Sequence, residues 1–200
     1  MTPAISHPLY YQFRFLARSS FRILQRLEFP FFNIQFIEIF RHMDRQSRGS
    51  AVGSLVQEIF FRLLDDLQPG CWRRGQNSEP DIVCLYNADW SFELKTSMSL
   101  GNQICGNRVQ ATARKPSSFL LFLNYYRENL SVREVRLGWV GPNDWQAGGD
   151  TSQRSVVHVS VRDQFVVMPE QNSLERFWGN LPNYQRVEWT SPAPMGDSAV

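Results

Sequence analysis

The sequence lacks the features that mark several classes of protein. Its three cysteines, Cys71, Cys84 and Cys105, are odd in number and share no CxxC spacing, so neither a disulfide framework nor a zinc site is indicated. Arginines interrupt the N-terminal region, and no apolar run approaches the ~20 residues of a membrane helix. A formal net charge of only +2 does not by itself indicate nucleic-acid binding. These absences favour a soluble protein of the reducing cytoplasm with no membrane partner.

What the sequence does contain is the pattern of an α/β domain with a mixed sheet covered by helices. An apolar stripe predicts a helix from Val52 to Leu67, capped by Ser50 or Ser54 and ended by Pro69-Gly70. The nearly unbroken apolar run at 119–126 indicates a strand buried on both faces. Other strand patterns lie at 81–86, 90–96, 132–140, 156–161 and 165–168, and a weaker helical pattern lies at 107–114.

Composition divides the chain into three parts. Residues 1–48 form an aromatic and basic N-terminal arm, residues 49–170 the predicted core, and residues 171–200 a tail with few structural signals. The arm has three interpretations, namely core packing, a surface for a second copy, and a clamp on DNA. An apolar helix such as that at 34–43 most often packs in a core, and self-association is the next choice.

The two strand patterns at the centre of the chain bring three charged residues together. A three-residue loop at 87–89 is typical of a tight hairpin. Such a loop pairs Asp81 with Lys95 and places Glu93 two residues from Lys95, so all three side chains share one face. A register shift of one residue would separate them.

This arrangement indicates metal-assisted chemistry on a phosphate ester. Two neighbouring carboxylates, Asp81 and Glu93, repel each other unless a cation joins them, and hard oxygen ligands suit Mg²⁺. Lys95 can orient or deprotonate an attacking water and offset charge on phosphorus. The three histidines are remote from this cluster, so histidine catalysis is not predicted. The alternative is a solvated cross-strand salt bridge, worth at most about 1 kcal/mol.

The spacing of these residues resembles a known superfamily. Glu79-Pro80-Asp81, eleven residues and then Glu93-Leu94-Lys95 is similar to the PD-(D/E)xK nucleases, to which most type II restriction enzymes belong. A more specific similarity, to the ScaI family, covers about residues 50–162. It is carried by Glu93–Ser97, Gly106-Asn107-Arg108, the run at 119–126, Arg136–Trp139 and Asp144-Trp145.

The resemblance implies a restriction-endonuclease-like core with a mixed sheet of four or five strands flanked by helices. It also implies a catalytic carboxylate from the preceding helix, for which Glu58 is the matching position. Glu58 has an ordinary interpretation as well, an i,i+4 ion pair with Arg62. The implied enzyme is a Mg²⁺-dependent type II restriction endonuclease. It would act as a homodimer on a palindromic double-stranded DNA site, with a cognate methyltransferase as genetic partner.

The residues after Lys95 are candidates for DNA contact. Arginine reads guanine, asparagine and glutamine read adenine, and basic side chains also bind phosphates. Arg73 and Arg74 can hold phosphates near the scissile bond, or belong to a solvated turn. The other candidates are Asn102, Gln103, Asn107, Arg108, Gln110, Arg114 and Lys115. An ordinary polar loop is the alternative for each of them alone, whereas the whole segment favours contact.

The sequence leaves two other functions open. A structure-selective nuclease, such as a junction resolvase or repair nuclease, would use the same three charged residues. A non-catalytic DNA-binding module would carry them as a chance surface cluster. Incubating the protein with plasmid and Mg²⁺ separates these possibilities, because only a restriction enzyme gives discrete bands.

Overall fold

A computed structural model describes residues 8–76, 78–98, 104–108, 117–147 and 154–168 of the chain. The predicted C-terminal tail and most of the segment between Met98 and Ser117 lie outside the described residues. Of the helices that these ranges contain, none has the length and hydropathy that crossing a bilayer requires.

Three helices of seven residues or more cover one face of the main sheet or flank it. They are α1 (Pro8–Arg26), α2 (Phe36–His42) and α3 (Arg45–Leu67). Asp44 caps α3, because its side chain accepts hydrogen bonds from the amides of Gln46 (2.9 Å) and Ser47 (3.0 Å). The predicted caps at Ser50 and Ser54 were wrong, since α3 begins before both; the predicted end near Pro69-Gly70 was correct. Gly70 has φ +73°, which favours glycine after a helix.

The strands form one large sheet, one small sheet and a separate hairpin. The hairpin contains β1 (Glu28–Phe29) and β2 (Ile34–Gln35). The large sheet contains β3 (Trp72–Arg74), β4 (Ile82–Cys84), β5 (Phe92–Ser97), β7 (Ser118–Tyr125), β8 (Val132–Val140) and β11 (Val166–Val167). The small sheet contains β6 (Cys105–Arg108), β9 (Trp145–Ala147) and β10 (Arg154–Val157), and a short helix α4 (Val159–Arg162) follows it.

The large sheet is mixed, as predicted, and it has six strands rather than four or five. Its order is β11-β8-β7-β5-β4-β3, with β5 and β7 parallel and the other pairs antiparallel. The additional strands are at the two edges. Strand β11 lies within the strand pattern predicted at 165–168, whereas β3, with three residues, is too short to show an alternating pattern and was not predicted.

Strand β7 is the centre of the molecule, and all eight of its residues are buried. Phe119, Leu121 and Leu123 pack into the larger core with α1 and α3, whereas Leu120 and Phe122 pack into a smaller core on the opposite face. The small sheet contributes Val157 to that second core. The prediction of a strand buried on both faces is therefore confirmed.

The N-terminal helix α1 belongs to the larger core. The ring of Phe13 lies 4.8 Å from that of Phe92 and 5.6 Å from that of Phe60. Near the end of the described chain, the carbonyl of Met168 accepts a hydrogen bond from Arg14 Nη1 (3.2 Å). Part of the N-terminal arm thus packs as core against residues far away in sequence.

One glycine in β8 is required by packing. A Cβ atom built on Gly138 would lie 2.1 Å from Cδ1 of the Phe165 ring. We expect Gly138→Ala to lower the free energy of unfolding by about 1–3 kcal/mol through overpacking. Gly49→Ala in α3 is the matched control, because its Cβ would meet only Met98 Cε at 3.8 Å. The control should match the wild type or gain up to ~1 kcal/mol from helix propensity. Urea unfolding measures both, and equal stability of the two variants would contradict the packing argument.

Candidate active site

The loop of the β4–β5 hairpin is longer than the sequence predicted. Ile82 pairs with Phe92, and a single turn of 3₁₀ helix occupies residues 88–90. The Ser91 hydroxyl, rather than a strand carbonyl, accepts the hydrogen bond from the amide of Cys84 at 3.0 Å. The predicted pairing of Asp81 with Lys95, which assumed a three-residue loop at 87–89, was therefore wrong.

The correct register places Asp81 opposite Glu93 instead of Lys95. The shift is two residues, and side chains alternate between faces with a period of two, so the face is unchanged. The amide of Asp81 donates to Glu93 Oε2 at 3.2 Å. The structure thus brings together Asp81, Glu93 and Lys95, as expected from the sequence.

The three charged side chains form one connected group. Lys95 Nζ lies 3.5 Å from Asp81 Oδ2 and also donates a short hydrogen bond to Glu93 Oε1. The amide of Leu94 donates to Asp81 Oδ2 at 3.0 Å, which fixes that carboxylate against β5. The side chains of Glu93, Lys95 and Asp81 are only 5%, 17% and 18% exposed. The group is therefore largely buried, and the alternative interpretation as a solvated cross-strand salt bridge was wrong.

The electrostatic balance within the group keeps Lys95 charged. Burial lowers the pKa of Lys95, but the negative charges of Asp81 and Glu93 and their hydrogen bonds raise it more, so the pKa lies above its ordinary value. The stabilisation from this pairing is therefore complete below the ordinary lysine pKa and is lost as the pH rises through the higher folded value. One ammonium faces two carboxylates, and the group keeps one excess negative charge.

The donor set fits a hard divalent cation of the Mg²⁺ type. Within the described residues there is no cluster of three or more His, Cys, Asp or Glu side chains that could hold a metal. Mg²⁺ nevertheless often binds through one or two carboxylates, with water and substrate phosphate completing its shell. Asp81 and Glu93 supply such a pair.

Glu58 lies on α3 beside the group. It lines a pocket of about 200 Å³ that Asp81 and Ile82 also line. Its side chain is 45% exposed and forms ion pairs with Arg62 (3.2 Å) and, at shorter range, with Arg74. The i,i+4 pair considered from the sequence is thus present, and Glu58 also shares a pocket with Asp81.

The two arginines before Asp81 are held by carboxylates of the protein. The Nη1 and Nη2 atoms of Arg73 each donate to a carboxylate oxygen of Glu79 at 2.6 Å, and this hydrogen bonding lowers the pKa of Glu79 to about 2. Arg74 bonds to Glu58 and stacks on the ring of Phe61, 4.7 Å from its centroid. To bind a DNA phosphate, either arginine would have to release the carboxylate that it now contacts.

The predicted helix at 107–114 was wrong at its start. Asn107 and Arg108 belong to β6, where Arg108 pairs with Arg154 of β10. Pairing with a strand from a distant part of the chain overrides the local helical preference. Asn102, Gln103, Gln110, Arg114 and Lys115 lie outside the described residues.

A polar row on the site face was not proposed from the sequence. Along the strands after Lys95, Ser97 pairs with Asn124 of β7, and Asn124 pairs with Glu134 of β8. Arg136 lies on the same face, bonded to Glu134. The signal for this row was present in the sequence, because Asn124 interrupts an otherwise apolar run and Arg136 interrupts the apolar pattern of its strand.

Comparison with protein families gives a match over most of the chain. The family model described as ScaI restriction endonuclease matches residues 30–168. That range contains Glu58, Asp81, Glu93 and Lys95. Among curated proteins, the comparison found no significant match.

Proposed function

Because this chain belongs to the ScaI restriction endonuclease family, whose members cleave DNA at specific sites, we propose that it is a Mg²⁺-dependent type II enzyme. Its substrate is a short palindromic site in double-stranded DNA, and its products carry 5′-phosphates. The observation that carries this proposal is the buried group of Asp81, Glu93 and Lys95, connected through contacts of 3.0–3.5 Å.

The carboxylates of Asp81 and Glu93 would hold the metal ion. When bound, Mg²⁺ polarises a phosphoryl oxygen and lowers the pKa of water. The Leu94 amide orients Asp81 through its 3.0 Å hydrogen bond, and the Asp81 amide does the same for Glu93 at 3.2 Å. Both ligands are therefore positioned by the backbone before any ion binds, which reduces the reorganisation that catalysis requires.

Lys95 acts on the attacking water and on the charge that develops at phosphorus. Without the metal ion, the two carboxylates raise its pKa, so Lys95 is an ammonium at neutral pH. As an ammonium it would donate a hydrogen bond to the attacking water and orient it. The ammonium also offsets negative charge on the phosphate in the transition state. Glu58 assists from α3 once Arg74 turns from it to a DNA phosphate.

Sequence recognition requires more residues than this group. The proposed contacts are Arg73, Arg74 and the segment that continues from β5 through Asn107 and Arg108. Cutting both strands of a palindrome favours a two-fold dimer, and protection of the cell's own DNA requires a methyltransferase of the same specificity.

Incubation with supercoiled plasmid tests the proposed function. In Mg²⁺ or Mn²⁺ we expect discrete fragments whose sequenced ends share one short palindrome, and in EDTA no cleavage. Ca²⁺ should support binding with little cleavage. Full activity in EDTA would contradict the metal assignment, and preferential cutting of branched DNA would indicate a structure-selective nuclease instead.

A further inference from the structure

The tip of the β1–β2 hairpin exposes two adjacent aromatic side chains. Phe31 is 96% exposed and Phe32 is 80% exposed. Most other phenylalanines among the described residues are buried in the core. Exposing two large apolar rings side by side is unfavourable in water, so folding alone gives no reason for it.

The hairpin holds these rings in a defined turn. The amide of Phe32 donates to the carbonyl of Phe29 at 2.9 Å, which closes a β-turn with Pro30 at its second position. Asn33 follows in the left-handed region at φ +48°. At the base, the amide of Phe36 donates to the carbonyl of Leu27 at 2.8 Å. The turn therefore presents both rings with little conformational freedom left in the backbone.

The hairpin arises at the end of the sheet where the site strand finishes. Near the end of α1, which leads into the hairpin, Phe21 packs on Tyr125, and Gln25 donates to the carbonyl of Asn129. Strand β7 ends at this point, and its Asn124 pairs with Ser97 at the end of β5. The hairpin thus begins at the sheet end towards which β5 runs after Lys95.

The charge around the hairpin is complementary to DNA. Between residues 8 and 48 there are seven arginines and three acidic residues. Arg22 and Arg26 precede the hairpin, and Arg41 follows it in α2. All three are exposed, and none forms an ion pair within the ranges that the structure describes. A cationic surface of this kind attracts phosphates and repels a second copy of itself.

The apolar area is also too small for a dimer interface. Phe31 and Phe32, even together with the partly exposed Ile23 and Phe29, offer less than the ~800 Å² that each partner contributes to a stable interface. Two rings are, however, enough to stack on bases or to wedge between base pairs, as aromatic and other apolar side chains of DNA-binding proteins do.

We propose that Phe31 and Phe32 form an apolar wedge that contacts the bases of the DNA duplex, while the flanking arginines bind its phosphates. This proposal rests on the proposed function and adds to it a DNA contact on the N-terminal side of the nuclease core. The wedge partly unstacks a base step and bends the duplex. It therefore favours sites whose central steps are easily deformed.

The test compares a double substitution with a matched control. Phe31→Ala/Phe32→Ala should weaken binding to plasmid-derived duplex in Ca²⁺ about tenfold or more, with the slope of log affinity against log salt unchanged. The separate variant Phe31→Tyr/Phe32→Tyr keeps both rings and should bind DNA with the affinity of the wild type. Arg26→Ala should instead reduce the salt slope by about one. Val166→Thr/Val167→Thr, which changes an exposed apolar pair on β11, should bind as the wild type does.

Three results would overturn the proposal. One is unchanged affinity of the double alanine variant while the wild type binds and cuts plasmid; the proposed function then stands and only the wedge fails. Another is a dimeric wild type and a monomeric variant in sedimentation, which would assign the hairpin to a second copy. The last is a large fall in melting temperature of the variant, because rings that pack only on DNA do not stabilise the free protein. If the wild type neither binds nor cuts DNA, the proposed function is wrong, and the wedge proposal that rests on it is wrong as well.

Discussion

Replacing Lys95 with methionine should reduce plasmid cleavage about a thousandfold, an increase of ~4 kcal/mol in the barrier, and change DNA affinity little. The ammonium is proposed to act on the attacking water and the developing charge, so its removal affects the transition state more than the bound substrate. Methionine retains an apolar stem of similar length. Initial rates of plasmid nicking and binding in Ca²⁺ measure the two effects.

The Lys95→Met variant also tests how much the buried ion pair between Lys95 and Glu93 stabilises the protein. Glu93 is 5% exposed and would lose the ammonium that it contacts. Breaking a buried pair costs up to ~3–5 kcal/mol, so the variant should be less stable than the wild type in metal-free buffer and should recover with Ca²⁺. Arg162→Met, which removes a cation that is 20% exposed and paired with Asp163 away from the site strands, should leave cleavage unchanged. A normal cleavage rate in the Lys95 variant would end the assignment of catalysis to this hairpin.

Asp81→Asn should abolish cleavage and also the stabilisation of the protein by divalent cations. Wild-type protein that binds Ca²⁺ or Mn²⁺ in its folded state gains ~2.7 kcal/mol at a hundred times the dissociation constant. The asparagine oxygen can still accept the hydrogen bond from the Leu94 amide, so the fold is preserved while the ligand charge is lost. Melting temperature with and without Ca²⁺ is the measurement, and it does not depend on activity.

Glu79→Gln is the matched control for this result. Glu79 is two residues from Asp81, but it bonds to Arg73 and not to the site. The control should keep the response to Ca²⁺, which is measured without DNA and so does not depend on Arg73. If Asp81→Asn responded to Ca²⁺ as strongly as the wild type does, the cation would bind elsewhere.

The grouping of Asp81, Glu93 and Lys95 could be predicted because side chains alternate between the two faces of a strand. An error of two residues in the pairing of β4 with β5 leaves all three on the same face, and only an error of one residue would separate them. The exact pairing could not, since it depends on how Ser91 and the 3₁₀ turn lengthen the loop, and these are contacts between side chain and backbone. The start of α3 was missed for a similar reason. Asp44 lies before the apolar stripe, so periodicity alone did not indicate it.

Other features depend on contacts that no local pattern contains. The bidentate bond from Arg73 to Glu79 requires the fold of the loop between β3 and β4. Phe31 and Phe36 have the same side chain, yet one is at a hairpin tip and the other is buried. Sequence hydrophobicity is equal for both, and only the tertiary structure distinguishes them.

The hydrogen bond between Arg14 and Met168 joins helix α1 to the segment that follows β11, and this has a consequence for folding. Helix α1 is synthesised before the strands on which its aromatic residues pack, such as those that carry Phe92 and Phe119. Contacts of such long sequence separation form late in folding. A chain that ends before β11 therefore lacks both the hydrogen bond from Arg14 and the Met168 side chain that is buried in the larger core. Removing residues from this end should therefore loosen the packing of α1, at the other end of the described chain.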